Sequence, residues 1–296
     1  MIGEKILDRY LVQDRLGGGS MGDVYKAEDE RLRCHVALKF LPEPNRFDEA
    51  ARARFLREAR ALARISHPNI CNVRDFVAHG GTDVLVMEYV GGGVLSDRLA
   101  GGPLGHGEVV RLGIQLAEGL AAAHEAGVLH RDLKPGNLAM TRDGRLKIMD
   151  FGLAKLTKLA EEGTLSISTT DEHTVKGTLP YIAPELLWGG RPDARSDVYA
   201  AGCVLYEMAA GRRAFPQNDG MALWHAILNT EPPPPRQIRP QVSSRLERVI
   251  VRASAKDPAQ RSATAAELAH ALRGVQRWGF LPALPSWGRR RAGAPR

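Results

Sequence analysis

The 296-residue sequence predicts an α+β fold, a small antiparallel sheet with one helix followed by a larger, mainly helical part. Three observations lead there. Short β-branched and apolar runs crowd the first ninety residues, apolar positions recur at helical spacing in most of the remaining two hundred or so, and Gly91-Gly92-Gly93 marks the change. With 44% hydrophobic and 25% charged residues, the chain can bury a large core without staples.

In order along the chain, Leu11-Val12 to Leu16, Val24 to Ala27, His35 to Phe40, Asn72 to Ala78 and Val84 to Tyr89 read as strands by composition. Between the third and fourth, Asp48 to Ile65 places Phe55, Leu56, Ala59, Leu62 and Ala63 near helical spacing, with Arg and Glu on the other faces. After Gly101 to Pro103, the residues Val109, Val110, Leu112, Ile114, Leu116, Leu120 and Ala121 mark a long amphipathic helix. Val198 to Ala210, Met221 to Asn229, Ser244 to Ser254 and Ala263 to Val275 read the same way. The run Pro232 to Pro235 reads as a rigid loop between helices, with partner docking as the alternative.

The formal charge of +7 reflects the tail. Arg277, Arg289, Arg290, Arg291 and Arg296 fall in the last twenty positions, where there are no acids; without them 36 basic residues face 34 acidic ones. The body is near neutral, and no nucleic-acid partner is expected. Three separated cysteines, Cys34, Cys71 and Cys203, fit reduced thiols in a cytoplasmic protein rather than a disulfide framework or a zinc site. No signal peptide is expected from the first ten residues. The apolar stretch Trp278 to Trp287 is about half the ~20 residues a span needs and is broken by Gly279, Pro282 and Pro285, so no transmembrane segment is expected.

Four clusters carry chemistry. Leu16-Gly17-Gly18-Gly19-Ser20-Met21-Gly22-Asp23-Val24 contains G-x-G-x-x-G, weak alone, but here the glycines precede a strand-like Val24 to Ala27. A glycine hairpin is predicted, one that can lay backbone N–H groups over phosphates because no Cβ intervenes. Lys39 in Val36-Ala37-Leu38-Lys39 is either a solvated strand-edge lysine or an ammonium that reaches those phosphates, held by a carboxylate such as Glu58 of the following helix. His130-Arg131-Asp132-Leu133-Lys134-Pro135-Gly136-Asn137 combines a carboxylate, two cations and an amide before a β-like Leu138-Ala139-Met140. The short strand Arg145 to Met149 then returns Asp150-Phe151-Gly152 beside Asn137. A proton acceptor, a cation and oxygen ligands for Mg²⁺ are what phosphoryl transfer requires in one place.

With Ala183-Pro184-Glu185, this ordered set makes the chain resemble the eukaryotic-like serine/threonine protein kinases of bacteria, over about residues 8 to 275. The resemblance implies a two-lobed fold, an N-lobe at 8–90 and a C-lobe at 91–275 with a basic, Pro/Gly-containing tail at 276–296, and ATP in the cleft between the lobes. It implies that Leu16, Gly17, Gly19 and Gly22 cover the nucleotide, that Val24 and Ala37 lie over adenine, and that the backbones of Glu88 and Val90 bond it behind a gatekeeper Met87. Lys39 would contact the α/β-phosphates and pair with Glu58. Asp132 would orient and deprotonate a protein hydroxyl, Lys134 would steady the γ-phosphoryl, and Asn137 and Asp150 would hold Mg²⁺.

The same resemblance implies protein substrates modified on Ser or Thr, through Lys134 and Gly177-Thr178. It implies that Arg131 meets an activation loop phosphorylated on Thr169, Thr170 or Thr174, among the hydroxyls Thr164, Ser166, Ser168, Thr169, Thr170 and Thr174. Glu185 would pair with Arg261, Asp197 would anchor the backbone at His130-Arg131, and Leu62, His130 and Phe151 would stack between the lobes. Two positions depart from the family pattern. Ala139 stands where a bulky aliphatic usually floors the adenine site, and Gly91-Gly92-Gly93-Val94 stands where a polar side chain often meets the ribose. The alternative functions are a pseudokinase scaffold and a small-molecule kinase of related fold, against which Gly177-Thr178 and Ala183-Pro184-Glu185 argue; oligomeric state is not legible.

Overall fold

The structure is a computed structural model that describes residues 1–19, 22–41, 56–57, 59–151 and 177–279. The strand-rich half is one antiparallel sheet built from β1 (Lys5–Ile6), β2 (Tyr10–Gly19), β3 (Gly22–Asp29), β4 (Cys34–Phe40), β5 (Val73–His79) and β6 (Thr82–Glu88), in the order β1-β2-β3-β4-β6-β5. The five expected strands are all present. The sixth, β1, has no sequence signal, because two residues carry no periodicity.

Alternation sorts the sheet's two faces. Val36 and Leu38 of β4, with Val84 and Val86 of β6, join Ile6, Tyr10, Val12, Tyr25 and Ala27 in an outer apolar cluster. The intervening Ala37, Leu85 and Met87 belong to the main core on the other side. The register Ala37↔Met87 and Lys39↔Leu85 fixes this, since a one-residue slip would exchange the faces. Lys39 is therefore not an edge lysine. β4 lies between β3 and β6, and Lys39 is 8% exposed. Helix α1 is described at 56–57 and 59–63, with Ala59 and Leu62 buried beneath the sheet.

The remaining half is helical: α2 (Leu95–Ala100), α3 (His106–Glu125), α4 (Pro184–Leu187), α5 (Ala194–Ala210), α6 (Gly220–Asn229), α7 (Pro235–Ile238), α8 (Ser244–Ala253) and α9 (Ala265–Gly279). One hairpin interrupts it, β7 (Leu138–Met140) with β8 (Leu146–Ile148). Helix α5 is buried nearly all round, the mark of a central helix. It begins four positions before the expected Val198, because Asp193 and Ser196 form a reciprocal capping box there and Gly211 closes the far end with φ 75°. The proline run ends in α7, which starts at Pro235, so it is a loop only to Pro234. Helix α9 stays regular to Gly279, past the residue 275 at which the helical part was expected to end. Among the described residues no helix is long and apolar enough to cross a membrane.

A backbone seam joins the halves. Ile148 N–H donates to Asn69 O at 2.8 Å, Cys71 N–H donates to Ile148 O at 2.9 Å, and Ile70 bridges Ile148 in parallel. On its other side the same segment receives Glu88 N–H at Asn72 O, 2.9 Å.

Candidate active site

Between the halves lies a cleft of about 870 Å³. Its roof is the β2–β3 hairpin, in which Gly17 pairs with Val24, Gly18 with Asp23 and Gly19 with Gly22. Gly22 has φ +102°, and a Cβ there would lie 1.8 Å from Phe40 O, so only glycine closes this turn. Leu16, Gly17, Gly22, Val24 and Ala37 line the cleft from above, and Glu88 and Val90 line it at the back. Gly19 is in the hairpin, and Ser20, Met21 and Glu58 lie outside the described residues. The expected Lys39–Glu58 pair thus falls outside the description.

The lysine has a partner from the other half. Lys39 Nζ is 2.8 Å from Asp150 Oδ1, with the side chains 10% and 27% exposed. The β7–β8 hairpin makes this possible, because Met149 N–H donates to Asn137 O at 2.8 Å and sets Asp150 beside Asn137. Asn137 Nδ2 donates to Asp132 O (2.8 Å) and to Asp132 Oδ2 (3.0 Å). Lys134 Nζ reaches the same Oδ2 at 3.0 Å and donates to Thr178 Oγ1 at 2.9 Å. Asp132 itself is buried; with Thr178 and Tyr181 it lines a smaller adjoining cavity. Lys39, Lys134, Asn137 and Asp150 all line the main cleft. Gly152 and all six candidate activation-loop hydroxyls lie outside the described residues.

The loop that carries Asp132 is bent against its preference. Arg131 has φ 62° and Asp150 has φ 50°, left-handed values that cost a non-glycine residue roughly 1–2 kcal/mol. Asp197 holds the first of these bends, its Oδ2 accepting from His130 N–H at 2.8 Å and its Oδ1 from Arg131 N–H at 2.9 Å. Burial would raise the Asp197 carboxyl, but the hydrogen bond from His124 Nε2 at 2.8 Å and the His130 contacts outweigh it and hold the group below its ordinary value.

His130 is fully buried between this bend and Phe151, ring centroids 4.8 Å apart. Its Nε2 lies 2.9 Å from Met149 O and its Nδ1 3.2 Å from Asp132 N–H, so the proton sits on Nε2 and the ring is neutral. Burial pushes its pKa below 6.5, against the opposing pull of Asp197, Asp132 and Asp150. Below about pH 6.5 the unfolded chain takes up a proton that the folded one refuses, so stability falls as pH falls, and His67 shifts the same way. Melting temperatures are expected to decline as pH is lowered through this range; a flat profile would contradict this.

Three features of the site had no sequence signal. Cys71 lines the cleft, its Sγ 3.3 Å from Glu88 O, and burial pushes its thiol to about 12, which makes it inert. Lys147 of β8 binds Glu88 Oε2 at 2.7 Å and Ile70 O at 3.3 Å, tying the back of the cleft to the hairpin below. Asp97 of α2 also lines the cleft. At the base of the helical half, Arg261 makes the expected pair with Glu185 in bidentate form, at 2.9 and 2.7 Å.

Comparison with known proteins agrees with this layout. Residues 10–272 match the family described as protein kinase domain. The chain is 38% identical over 284 residues to the serine/threonine-protein kinase pkn3 of Myxococcus xanthus, covering 93% of this chain and 51% of that protein. It is 36% identical over 271 residues to the serine/threonine-protein kinase PrkC of Bacillus subtilis, covering 90% and 40%. It spans about half, or less, of the length of these curated relatives. The crystal structure of the Mycobacterium tuberculosis PknI kinase domain superposes with a TM-score of 0.70 at 30% identity, covering 93% of this chain and 98% of that one. Two halves closed over a lysine–aspartate pair, on a chain that matches along nearly its whole described length, place this protein in the protein kinase domain family.

Proposed function

We propose that the chain is a serine/threonine protein kinase, which transfers the γ-phosphoryl of Mg-ATP to Ser or Thr hydroxyls of protein substrates. The observation that carries this reading is the 2.8 Å contact of Lys39 with Asp150 across the cleft, beside the Asp132–Lys134–Asn137 cluster. Adenine fits between Val24 and Ala37 above and Ala139 below, its amine toward Glu88 O and its ring nitrogen toward Val90 N–H, which has no backbone partner among the described residues.

The donor set fits magnesium. No group of three or more His, Cys, Asp or Glu side chains among the described residues forms a protein cage for a metal. One carboxylate, Asp150, and one amide oxygen, Asn137 Oδ1, are what Mg²⁺ uses when phosphates and waters complete its shell. The ammonium already lying on Asp150 marks that oxygen as a cation-binding position. The ion supplies charge neutralisation on the phosphates. The chain's own residues do the rest. Lys39 holds the inner phosphates; Asp132, kept in place by Asn137 and Lys134, accepts the hydroxyl proton; Lys134 stands by the migrating group and is itself fixed by Thr178. The Lys134–Thr178 bond supports the serine/threonine branch.

Incubating wild type and Asp132→Asn with Mg-ATP and a generic protein acceptor tests the reading. Phosphoserine or phosphothreonine is expected with wild type only. Nucleotide binding without transfer would instead assign a pseudokinase. Activation by autophosphorylation on Thr169, Thr170 or Thr174 belongs to the same proposal, as do a signalling role and a cytoplasmic setting. Mass spectrometry that finds those hydroxyls unmodified in active protein would remove the autophosphorylation step.

A further inference from the structure

We infer that the ion pair between Arg15 and Asp23 is a brace on the glycine hairpin, and that it sets how fast the cleft releases its nucleotide. The inference rests on the nucleotide reading above and adds two positioning residues on the face of the roof turned away from the cleft.

The roof is weakly tied by its own residues. Beyond Val12, β3 is the one strand that pairs with β2 among the described residues. The last three residues of β2 are Gly17, Gly18 and Gly19, which bring no side chains to join the strands and lose the most freedom on ordering. The register also skips Leu16: Arg15 faces Tyr25, Gly17 faces Val24 and Gly18 faces Asp23. That extra residue puts Arg15 and Gly18 on the same side of the ribbon as Asp23 and Tyr25. Tyr25 belongs to the outer apolar cluster, whereas Val24 lines the cleft, so this side points away from the nucleotide site.

On that side Arg15 Nη2 lies 2.7 Å from Asp23 Oδ1, spanning the two strands over Gly18. A Cβ on Gly18 would be 2.1 Å from that oxygen and 2.4 Å from that nitrogen. The other roof glycines differ. Gly22 has φ +102° and packs on the backbone oxygen of Phe40, while a Cβ on Gly17 would meet nothing within 4 Å. Gly18 has no positive φ, so the room it leaves serves the ion pair and not a turn of the backbone. The two side chains are 57% and 45% exposed, so salt screens the pair and it adds little to the stability of the whole domain. From Arg15 to the hairpin tip, however, it is the one cross-strand ion pair among the described residues. A small energy there decides how often a local element lifts, even where it does not decide whether the domain folds.

Stopped-flow release of Mg-ADP carrying a fluorescent ribose label tests this on wild type, Arg15→Ala, Asp23→Ala, the double alanine variant, and the swap of Arg15→Asp with Asp23→Arg. Each single alanine variant is expected to release nucleotide about two- to fivefold faster than wild type, the scale of one exposed pair, with a melting temperature close to that of wild type. The double variant should be no faster than either single one, and the swap should return release toward the wild-type rate. Gly18→Ala should match Arg15→Ala in the wild-type background and add nothing in the double variant. The wild-type advantage should fade as salt is raised toward about 1 M. Single variants that shift release in opposite directions would assign the effect to the separate pull of each charge on the phosphates, and overturn the brace. So would single variants that match wild type, or a Gly18→Ala effect that persists in the double variant. Each of these leaves the kinase reading intact; a wild type that binds no nucleotide overturns both.

Discussion

Lys39→Ala is expected to lower kcat for phosphoryl transfer by about 10² to 10³-fold, or roughly 3 to 4 kcal/mol of transition-state stabilisation, the usual cost of one preorganised charge contact. The cause is geometric. β4 holds Lys39 by four buried positions in a row, Val36 to Lys39, and the alternation that turns Val36 and Leu38 to the outer cluster turns the ammonium to Asp150 at 2.8 Å. Alanine keeps the strand and removes the ammonium together with its aliphatic stem, leaving the partly exposed Asp150 to water. The melting temperature should move by no more than a few degrees, and kcat rather than folding should account for the loss. A variant with more than about a tenth of wild-type kcat would mean that Lys39 does not contact the phosphates.

Glu185→Ala is expected to cost about 3 to 5 kcal/mol in denaturant unfolding, a large share of the ~5–15 kcal/mol that a domain has. Arg261 has a fully buried side chain. Besides its two bonds to Glu185 it donates to Ala255 O, Arg195 O and Lys256 O, and its guanidinium lies 4.8 Å from the Tyr199 ring centre. Removing the carboxylate leaves that cation where water cannot reach it. Burial would raise the Glu185 carboxyl, but Arg261 overrides this and holds it low, so the pair should also weaken under acid as the carboxylate is protonated. A loss below about 1 kcal/mol, the scale of an exposed pair, would show that the pair is ornamental to stability.

The sequence was most informative where chemistry and local pattern coincide. The glycine hairpin, the strand that bears Lys39, the loop from His130 to Asn137 and the short hairpin leading to Asp150 are each contiguous, and their order is their identity. What escaped it depends on partners far apart in the chain. Whether Lys39 is an edge or an interior lysine depends on β6 lying beside β4, a pairing no local pattern contains. Lys147 and Glu88 are 59 positions apart. Cys71 reads as an ordinary thiol because its place at the cleft wall is set by the seam and not by its neighbours. Helices α2 and α7 are six and four residues long, too short for periodicity, and α7 begins on a proline that reads as a stop. The early start of α5 lies in polar capping residues, before any apolar stripe begins.

The stitching of residues 69–72 to β8 and to Glu88 has a mechanical meaning. Bonds laid along a single line resist sliding across it far more than rocking about it, so the upper half has an axle rather than a free joint. Rotation about that line would move the glycine roof most relative to Asn137 and the rear wall near Cys71 least. The reach of such a rotation would grow from the rear wall to the rim of the cleft, where Asp97 stands.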